Sequence, residues 1–427
     1  MQILLINQNW FATELKQMGH EVLTVGTASH LDIHLSSPLI HIDSLLRQLP
    51  EHFAPDRIVW FDNSAPMTIL GIEDCPIPSV LYSVDTHHHC ASHSLLANSF
   101  DYTFVAQKDY LSSFSESEER VSWLPLWASE YMRPEETKKY GATFVGTLNP
   151  ELNPNRVAFF EELQKKVPVK VLQGNFPSIF PYAEIVINQT VKKDLNFRVF
   201  EAMMSGALLL TERTDNGLLE LFEDGKHLVT YKAGDVDDAA AKITALLADL
   251  NRCRKIGAAG RHEVLEKHCP SHRAKAVNDL LVNLTKREPH PKRHLGPLLN
   301  CLTSAVMLQD VHPATANQLL SICLDLSEKT LDLNAQLGED DCLYIVRAHV
   351  LFSETNNSQR CSKTLARLYQ RYPESSLLPL IQTKILHSQG LMIEANSLAQ
   401  QIRPDLSPEE TMQLAQQAVD MIMPQMP

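Results

Sequence analysis

Two α/β sandwiches with parallel sheets, followed by an all-α region, are what this chain of 427 residues predicts, and three observations predict it. Short apolar runs alternate with helix-length segments up to about residue 125, the alternation restarts abruptly near residue 141, and beyond residue 294 the strand pattern stops. An apolar fraction of 44% with 21% charged residues is that of a globular protein with ample core material, which excludes disordered and fibrous classes.

The first domain, residues 1–125, opens as strand, helix, strand: Ile3 to Ile6 is apolar, Phe11 to Met18 has helical spacing, Gly19 stops it, and Glu21 to Val25 is apolar again. Further buried strands are expected at Arg57–Phe61, Ser79–Ser83 and Tyr102–Ala106, so that functional loops would lie beyond their C-terminal ends. The Pro-containing, aperiodic stretch Leu124–Tyr140 reads as a linker. A second domain, residues 141–287, is expected to run through strands Ala142–Val145, Val169–Leu172, Ala183–Asn188, Ala207–Thr211 and Leu228–Tyr231. Helices are expected at Phe197–Ser205 and Gly217–Glu223, then onward to about Lys286.

At Lys286–His294 the chain reads KREPHPKRH, which suits a solvated hinge better than a nucleic-acid or lipid contact, since it holds only four Lys or Arg and no aromatic. The third domain, residues 295–427, divides into helices near 296–308, 313–328, 340–353, 360–371, 375–389, 391–402 and 407–422. Its segment from Tyr372 to Pro404, with Gly390 at the turn and Ala395 in the second helix, resembles one degenerate tetratricopeptide hairpin.

Charge and cysteine usage narrow the class of function. Lys plus Arg number 38 against 51 Asp plus Glu, a formal net charge of −13 that opposes nucleic-acid binding. MQILLINQNW carries no cationic leader and no apolar run approaches a bilayer span, so a cytoplasmic protein without a transmembrane segment is expected. Eight cysteines without a C-x-x-C pair suit free thiols in a reducing compartment.

The chemistry concentrates in two segments. In Ile187–Thr211 a polar loop leads into a short helix with Asn196 at its N-cap, Phe197 and Phe200 to Met204 against the sheet, and Arg198 and Glu201 three apart on the other side. A helix start of this kind can bind a diphosphate through free N–H groups, with Arg198 adding charge and Glu201 accepting from a ribose diol; the bland alternative is a surface ion pair. The second segment, Ser83–His93, places Asp85, His87, His88, His89 and His93 directly after a strand, where an Asp85–His pair could deprotonate an acceptor hydroxyl. His89 and His93 at i, i+4 would also suit a divalent metal, although the reading without metal is preferred. Trp60, Trp123 and Trp127 read as core aromatics, and Asn7, Gln8 and Asn9 as a loop able to touch donor or acceptor.

N-F-R-V-F-E-A-M-x-S-G-A-L-L-L-T from Asn196, G-L-x-E-L-F-E-D-G-K-H-L-V from Gly217, and Gly260 with Arg261 together resemble the donor-binding domain of GT-B glycosyltransferases over about residues 141–285. The closest branch is the group 1 (family 4-like) enzymes of the spore-maturation-protein type. V-D-T-H-H-H, F-D-Y-T-F-V-A-Q and W-L-P-L in the first 126 residues are similar to the partner domain. The resemblance implies two facing Rossmann-like domains followed by the helical-repeat-like domain, and a nucleotide diphosphate sugar as donor substrate, with no cofactor and no metal. Glu201 would take the place of the ribose-binding glutamate, Gly146 would lie near the diphosphate, and Asn188, Lys193, Asn196 and Arg198 would complete the donor set. Relatives with the full E-x7-E motif carry Glu where Lys193 stands, with Asp194 beside it.

The implied acceptor is a hydroxyl on a protein or glycan. Asp85, His87, His88 or His89 would act as base if configuration inverts, and the leaving phosphate if it is retained. The rivals are a nucleotide-sugar epimerase and a non-catalytic binding protein with a degenerate donor site. In either case the helical domain could serve a protein partner or a homo-oligomer contact.

Overall fold

The computed structural model describes residues 1–62, 68–129, 131–355 and 359–422. In the first lobe β1 (Gln2–Ile6), α1 (Ala12–Gln17), β2 (Glu21–Gly26) and β3 (Ile33–His34) are followed by β4 (Leu39–His41), α2 (Ile42–Leu46), β5 (Arg57–Phe61) and β6 (Thr68–Leu70). The lobe continues with β7 (Ser79–Ser83), α3 (Thr86–Ala97), β8 (Tyr102–Val105) and β9 (Val121–Trp123). Seven strands form one parallel sheet in the order β3-β2-β1-β5-β7-β8-β9, while β4 and β6 pair separately. Ile3 to Ile6 are each 0% exposed, because helices cover both faces of the central strands and leave no room for alternation. The strands β3, β4, β6 and β9 have only two or three residues each and carry no periodic signal, which is why the sequence does not announce them.

The second lobe consists of β10 (Tyr140–Val145), α4 (Pro154–Lys166), β11 (Val169–Leu172), β12 (Ala183–Asn188), α5 (Phe197–Met204), β13 (Leu208–Glu212), α6 (Leu218–Leu221) and β14 (Val229–Tyr231), then α7 (Val236–Ala248), α8 (Leu250–Lys267) and α9 (Pro270–Asn283). Its five strands are parallel, in the order β11-β10-β12-β13-β14. Helix α4 was not expected; Pro154 at its first turn starts it, and Phe159, Phe160 and Leu163 bury its apolar stripe. Helix α9 crosses back to the first lobe. Arg57 Nε donates to the Leu281 carbonyl at 2.8 Å, and Val277 and Leu281 share one core with Ile3, Leu5 and Leu15. That core runs on through Trp127 into Val199 and Phe200, so the two lobes are joined by apolar packing and not by a linker alone.

The remainder is helical: α10 (Leu295–Leu308), α11 (Pro313–Asp332), α12 (Glu339–Thr355), α13 (Gln359–Arg371), α14 (Leu378–Ser388), α15 (Met392–Ile402) and α16 (Pro408–Ile422). Each helix packs on the next, and α16 also returns to α14 and α12. The hairpin of α14 and α15 closes at Gly390, whose φ of 76° is one an L side chain rarely adopts. Residues 423–427 of the expected third domain lie outside the described residues.

The basic segment before α10 is not a solvated hinge. Lys286 reaches Asp101 at 3.1 Å, Arg293 reaches Asp74 at 2.9 Å, and Lys292 reaches Asp341 at 3.1 Å, so its cations bolt the first lobe and the helical region together. Carboxylates distant in sequence supply the partners, which no local pattern reveals. Immediately afterwards α10 crosses α3 so closely that a Cβ on Gly296 would lie 2.4 Å from the Leu96 Cα. Among the described residues no helix is long and apolar enough to cross a membrane. All eight cysteines are free thiols.

Candidate active site

The loop from β12 to α5 reverses through Lys192 and Lys193, whose φ values of 51° and 62° are unusual for residues with side chains. The Asp194 carboxylate holds the reversal by accepting from the Val191 N–H at 2.7 Å, and the Asn216 side chain holds it by donating to the Lys193 carbonyl at 3.2 Å. The turn aims the start of α5 at a cavity of about 370 Å³ lined by Gly146, Arg156, Asp194, Asn196, Arg198 and Glu201, among others. Behind the helix start, Val199, Phe200, Ala202, Met203 and Met204 are buried in the core. Phe197 turns instead to the first lobe, meeting Trp127 edge-to-face at 5.1 Å between centroids.

Two guanidiniums face this cavity. Arg198 donates to the Val145 carbonyl at 3.1 Å and to Asn188 Oδ1 at 2.8 Å, and lies 4.7 Å over the Phe144 ring. Arg156 donates to the Gln189 side chain at 2.9 Å and to its carbonyl at 3.0 Å. Burial, and then the repulsion of Arg156, pull Arg198 down to about 10, still fully cationic at neutral pH. A Cβ on Gly146 would stand 2.7 Å from Arg198 Nη2, so only glycine leaves the guanidinium its place. Asn188 is wholly buried; its Oδ1 also accepts from Asn196 and its amide donates to Thr211, which makes it the anchor of Arg198 and not part of the cavity wall.

Glu201 is 7% exposed, and its carboxylate accepts from Ser129 of the interlobe segment at the cavity edge. In place of the alternative, a surface pair with Arg198, the two are separately anchored groups lining one cavity. Asn196 occupies the N-cap position, but its side chain does not cap the helix, and its Oδ1 is buried with no hydrogen-bond partner among the described residues. Lys193 is exposed and outside the cavity wall, whereas Asp194 is in it.

From the first lobe one histidine meets this site. His87 Nε2 lies 4.0 Å from Asp194 Oδ2 across the lobe boundary, and its Nδ1 is buried without a hydrogen-bond partner. Burial, and then the neighbouring His88, lower His87 to about 4, which keeps it neutral at physiological pH. Burial likewise raises the Asp194 carboxyl, against the Val191 N–H that lowers it. The other imidazoles diverge because the helix kinks at His89 (φ −123°, ψ 24°). His88 and His89 turn toward α10. His93 accepts or donates at Ser83 Oγ (2.8 Å) and lies 3.6 Å from Asp62. Asp85 stands before α3 without capping it, its N–H donating to Asp62 at 2.9 Å. The carboxylates within 4.0 Å of the His87 and His93 ring nitrogens are thus Asp194 and Asp62, both outside the Ser83–His93 motif.

Sequence reasoning passed over several groups that complete the site. Arg156 sits in the unexpected helix α4, which the Asn153-Pro154 start could have flagged. Gln107, in the F-D-Y-T-F-V-A-Q run, receives hydrogen bonds from the Leu195 N–H at 2.8 Å and from Asn216 at 2.6 Å, pinning the α5 loop to the first lobe. Trp60 and Trp127 are core residues as expected. Trp123 is half-buried and packs so closely that a Cβ on Gly217 would lie 2.4 Å from its ring.

Residues 143–279 match the family model described as glycosyl transferase-like. That stretch runs from β10 to α9 and contains Arg156, Arg198 and Glu201. Many solved structures are similar to part of the chain. HepE of Anabaena, in complex with UDP and glucose, shares 13% identity at a TM-score of 0.48, covering 66% of this chain and 100% of its own. A glycosyltransferase from Rickettsia africae shares 10% at 0.47, covering 66% and 98%. Sucrose-phosphate synthase from Thermosynechococcus elongatus shares 12% at 0.48, also covering 66% and 98%. No curated protein matches the chain.

Proposed function

We propose that this protein is a glycosyltransferase that takes a nucleotide diphosphate sugar in the second lobe and transfers the sugar to an acceptor hydroxyl presented by the first. The observation that carries this reading is the cavity at the head of α5, where Arg156, Arg198 and the helix start face Glu201 inside the segment similar to glycosyl transferase-like domains. Glu201 would accept from the ribose diol. Two cations that remain charged would hold the diphosphate and stabilise it as it leaves, which supplies the electrostatic part of catalysis without a metal. The bare backbone at Gly146 would let the phosphates approach.

His87 is the first-lobe group best placed to meet the reaction, being neutral and having one unpartnered ring nitrogen. In an inverting transfer it would accept the acceptor proton. Its low proton affinity would rise once an anionic diphosphate occupies the neighbouring cavity. In a retaining transfer the leaving phosphate would take that proton, and His87 would only orient the hydroxyl.

Calorimetric titration with uridine, guanosine, thymidine and cytidine diphosphates tests the donor site. Saturable binding of at least one is expected, weakened about 10- to 100-fold in Glu201→Ala, the loss of hydrogen bonds to a charged group. Failure to bind any of the four overturns the reading. Incubation with donor alone separates the epimerase rival, which would return an isomerised nucleotide sugar.

A further inference from the structure

A second cavity, also of about 370 Å³, lies between α3 and α10, on the other side of the histidine cluster. Trp60, Leu81, Leu96 and Leu299 give it an apolar floor. One wall belongs to the first lobe and carries Asp62, His88, His89 and His93. The facing wall belongs to the helical region, where Asn300, Thr303 and Ser304 fall at i, i+3 and i+4 on a single face of α10.

The chemistry of this lining differs from that of the donor cavity. No lysine or arginine borders it among the described residues, and Asp62 is its one carboxylate. Burial holds both His88 and His93 below the ordinary imidazole range, so they stay neutral and each can donate or accept. Such a wall has nothing to neutralise a phosphate or carboxylate. It has alternating donors and acceptors over an apolar floor, which is the complement of a sugar ring with its apolar face and rim of hydroxyls.

The cavity lies near the donor site and is closed by a helix held against the first lobe. Helix α10 is fixed by the Gly296–Leu96 crossing and by Ser99, whose hydroxyl donates to the Arg293 carbonyl at 2.6 Å. The rings of His87 and His88 lie 4.1 Å apart; the first faces Asp194 in the donor cavity and the second lines this one. The His87–His88 pair thus links a wall residue of one cavity, Asp194, to the wall of the other.

Resting on the transferase reading, we propose that the α3–α10 cavity is the acceptor site and that the acceptor is a neutral saccharide. Its hydroxyls are shared between the first-lobe histidines and Asn300, Thr303 and Ser304. The helical region is then a wall of the acceptor site, and one edge of α10 sets which saccharide fits.

Saturation-transfer NMR on the full chain tests this, with methyl glucoside, maltose and lactose as probes, and glucose 6-phosphate and a Ser/Thr peptide as contrasts. At least one neutral saccharide is expected to bind, with the phosphorylated sugar and the peptide weaker. Asn300→Leu and Thr303→Leu are each expected to weaken saccharide binding about 5- to 10-fold, the loss of a neutral hydrogen bond. Nucleoside diphosphate affinity in both variants should equal wild type, which also reports that they fold. Saccharide binding unchanged in both variants overturns the proposal. So does preference for the peptide or phosphosugar, or a wild type that binds nucleotide but no neutral saccharide. A wild type that binds saccharide through α10 but no nucleotide refutes the donor site and leaves this cavity's ligand standing.

Discussion

The two cavities on either side of the His87–His88 pair have opposite chemistry. The one in the second lobe has two guanidiniums fixed to backbone carbonyls and to amide side chains, whereas the one against α10 has neutral imidazoles, an amide and hydroxyls over an apolar floor. Fixed cations in a buried wall are costly unless an anion is to be held there. Under the proposed function their confinement to one side would divide the labour of the molecule: charge handled in the second lobe, shape and hydroxyls in the first lobe and helical region.

The sharpest way to break this division is Arg198→Leu. Turnover is expected to fall about 10²- to 10³-fold, as when a preorganised transition-state donor is removed, with saccharide binding unaffected. Arg198→Lys should recover only part of the rate, since an ammonium keeps the charge but not the fork to Val145 and Asn188. An initial-rate assay with the nucleotide sugar that binds best measures both.

Gly296→Val attacks the other side. Its Cβ would meet the Leu96 backbone, which cannot yield as a side-chain tip would, so the α3–α10 crossing must open. A loss of about 1 to 3 kcal/mol in stability is expected, with new proteolytic cleavage between residues 286 and 294 and weakened saccharide binding. Nucleotide affinity should survive.

Acid acts on both regions through histidines buried in the neutral form. Burial holds His87 and His349 at about 4 and His268 at about 3, against an ordinary value of 6.5. Between 6.5 and these values the unfolded chain binds protons that the folded chain refuses. Stability is therefore intact at pH 7, falls as pH drops through 6.5 at up to about 1.4 kcal/mol per pH unit for each group, and levels off below about 4 for His87 and His349 and below about 3 for His268. Thermal melts from pH 7.5 to 4.5 measure the slope, and His349→Leu should reduce it by one proton.

The smallest effect is expected at the strap. Asp74→Ala removes a carboxylate that is 43% exposed and should cost below about 1 kcal/mol. Asp341→Ala, which strips Lys292 of a carboxylate only 8% exposed, should cost more in the same melts.

How much of this the chain discloses in advance follows from how far apart the contributing residues lie. Arg198, Glu201 and Asn188 fall within one strand–loop–helix stretch, and local periodicity suffices to bring them forward. Arg156 escaped because α4 was passed over, not because its signal is absent. The second cavity is assembled from β5, β7, α3 and α10, more than two hundred residues apart, and no pattern in Ser83–His93 points to Asn300 or Thr303. The basic strap misleads for the same reason: a run of cations looks solvated until Asp74, Asp101 and Asp341 are seen beside it. The longer strands of the two lobes are legible since each has a largely apolar core, while two-residue edges such as β3 leave no trace.

The contact of Gly296 with Leu96 also bears on ancestry. A module that touches its host backbone to backbone, with no side chain between, is not an interchangeable cassette. Grafting the last third of this chain onto another protein, or removing it by recombination, would uncover the histidine helix unless both surfaces changed together. The two parts are therefore expected to be inherited as a unit.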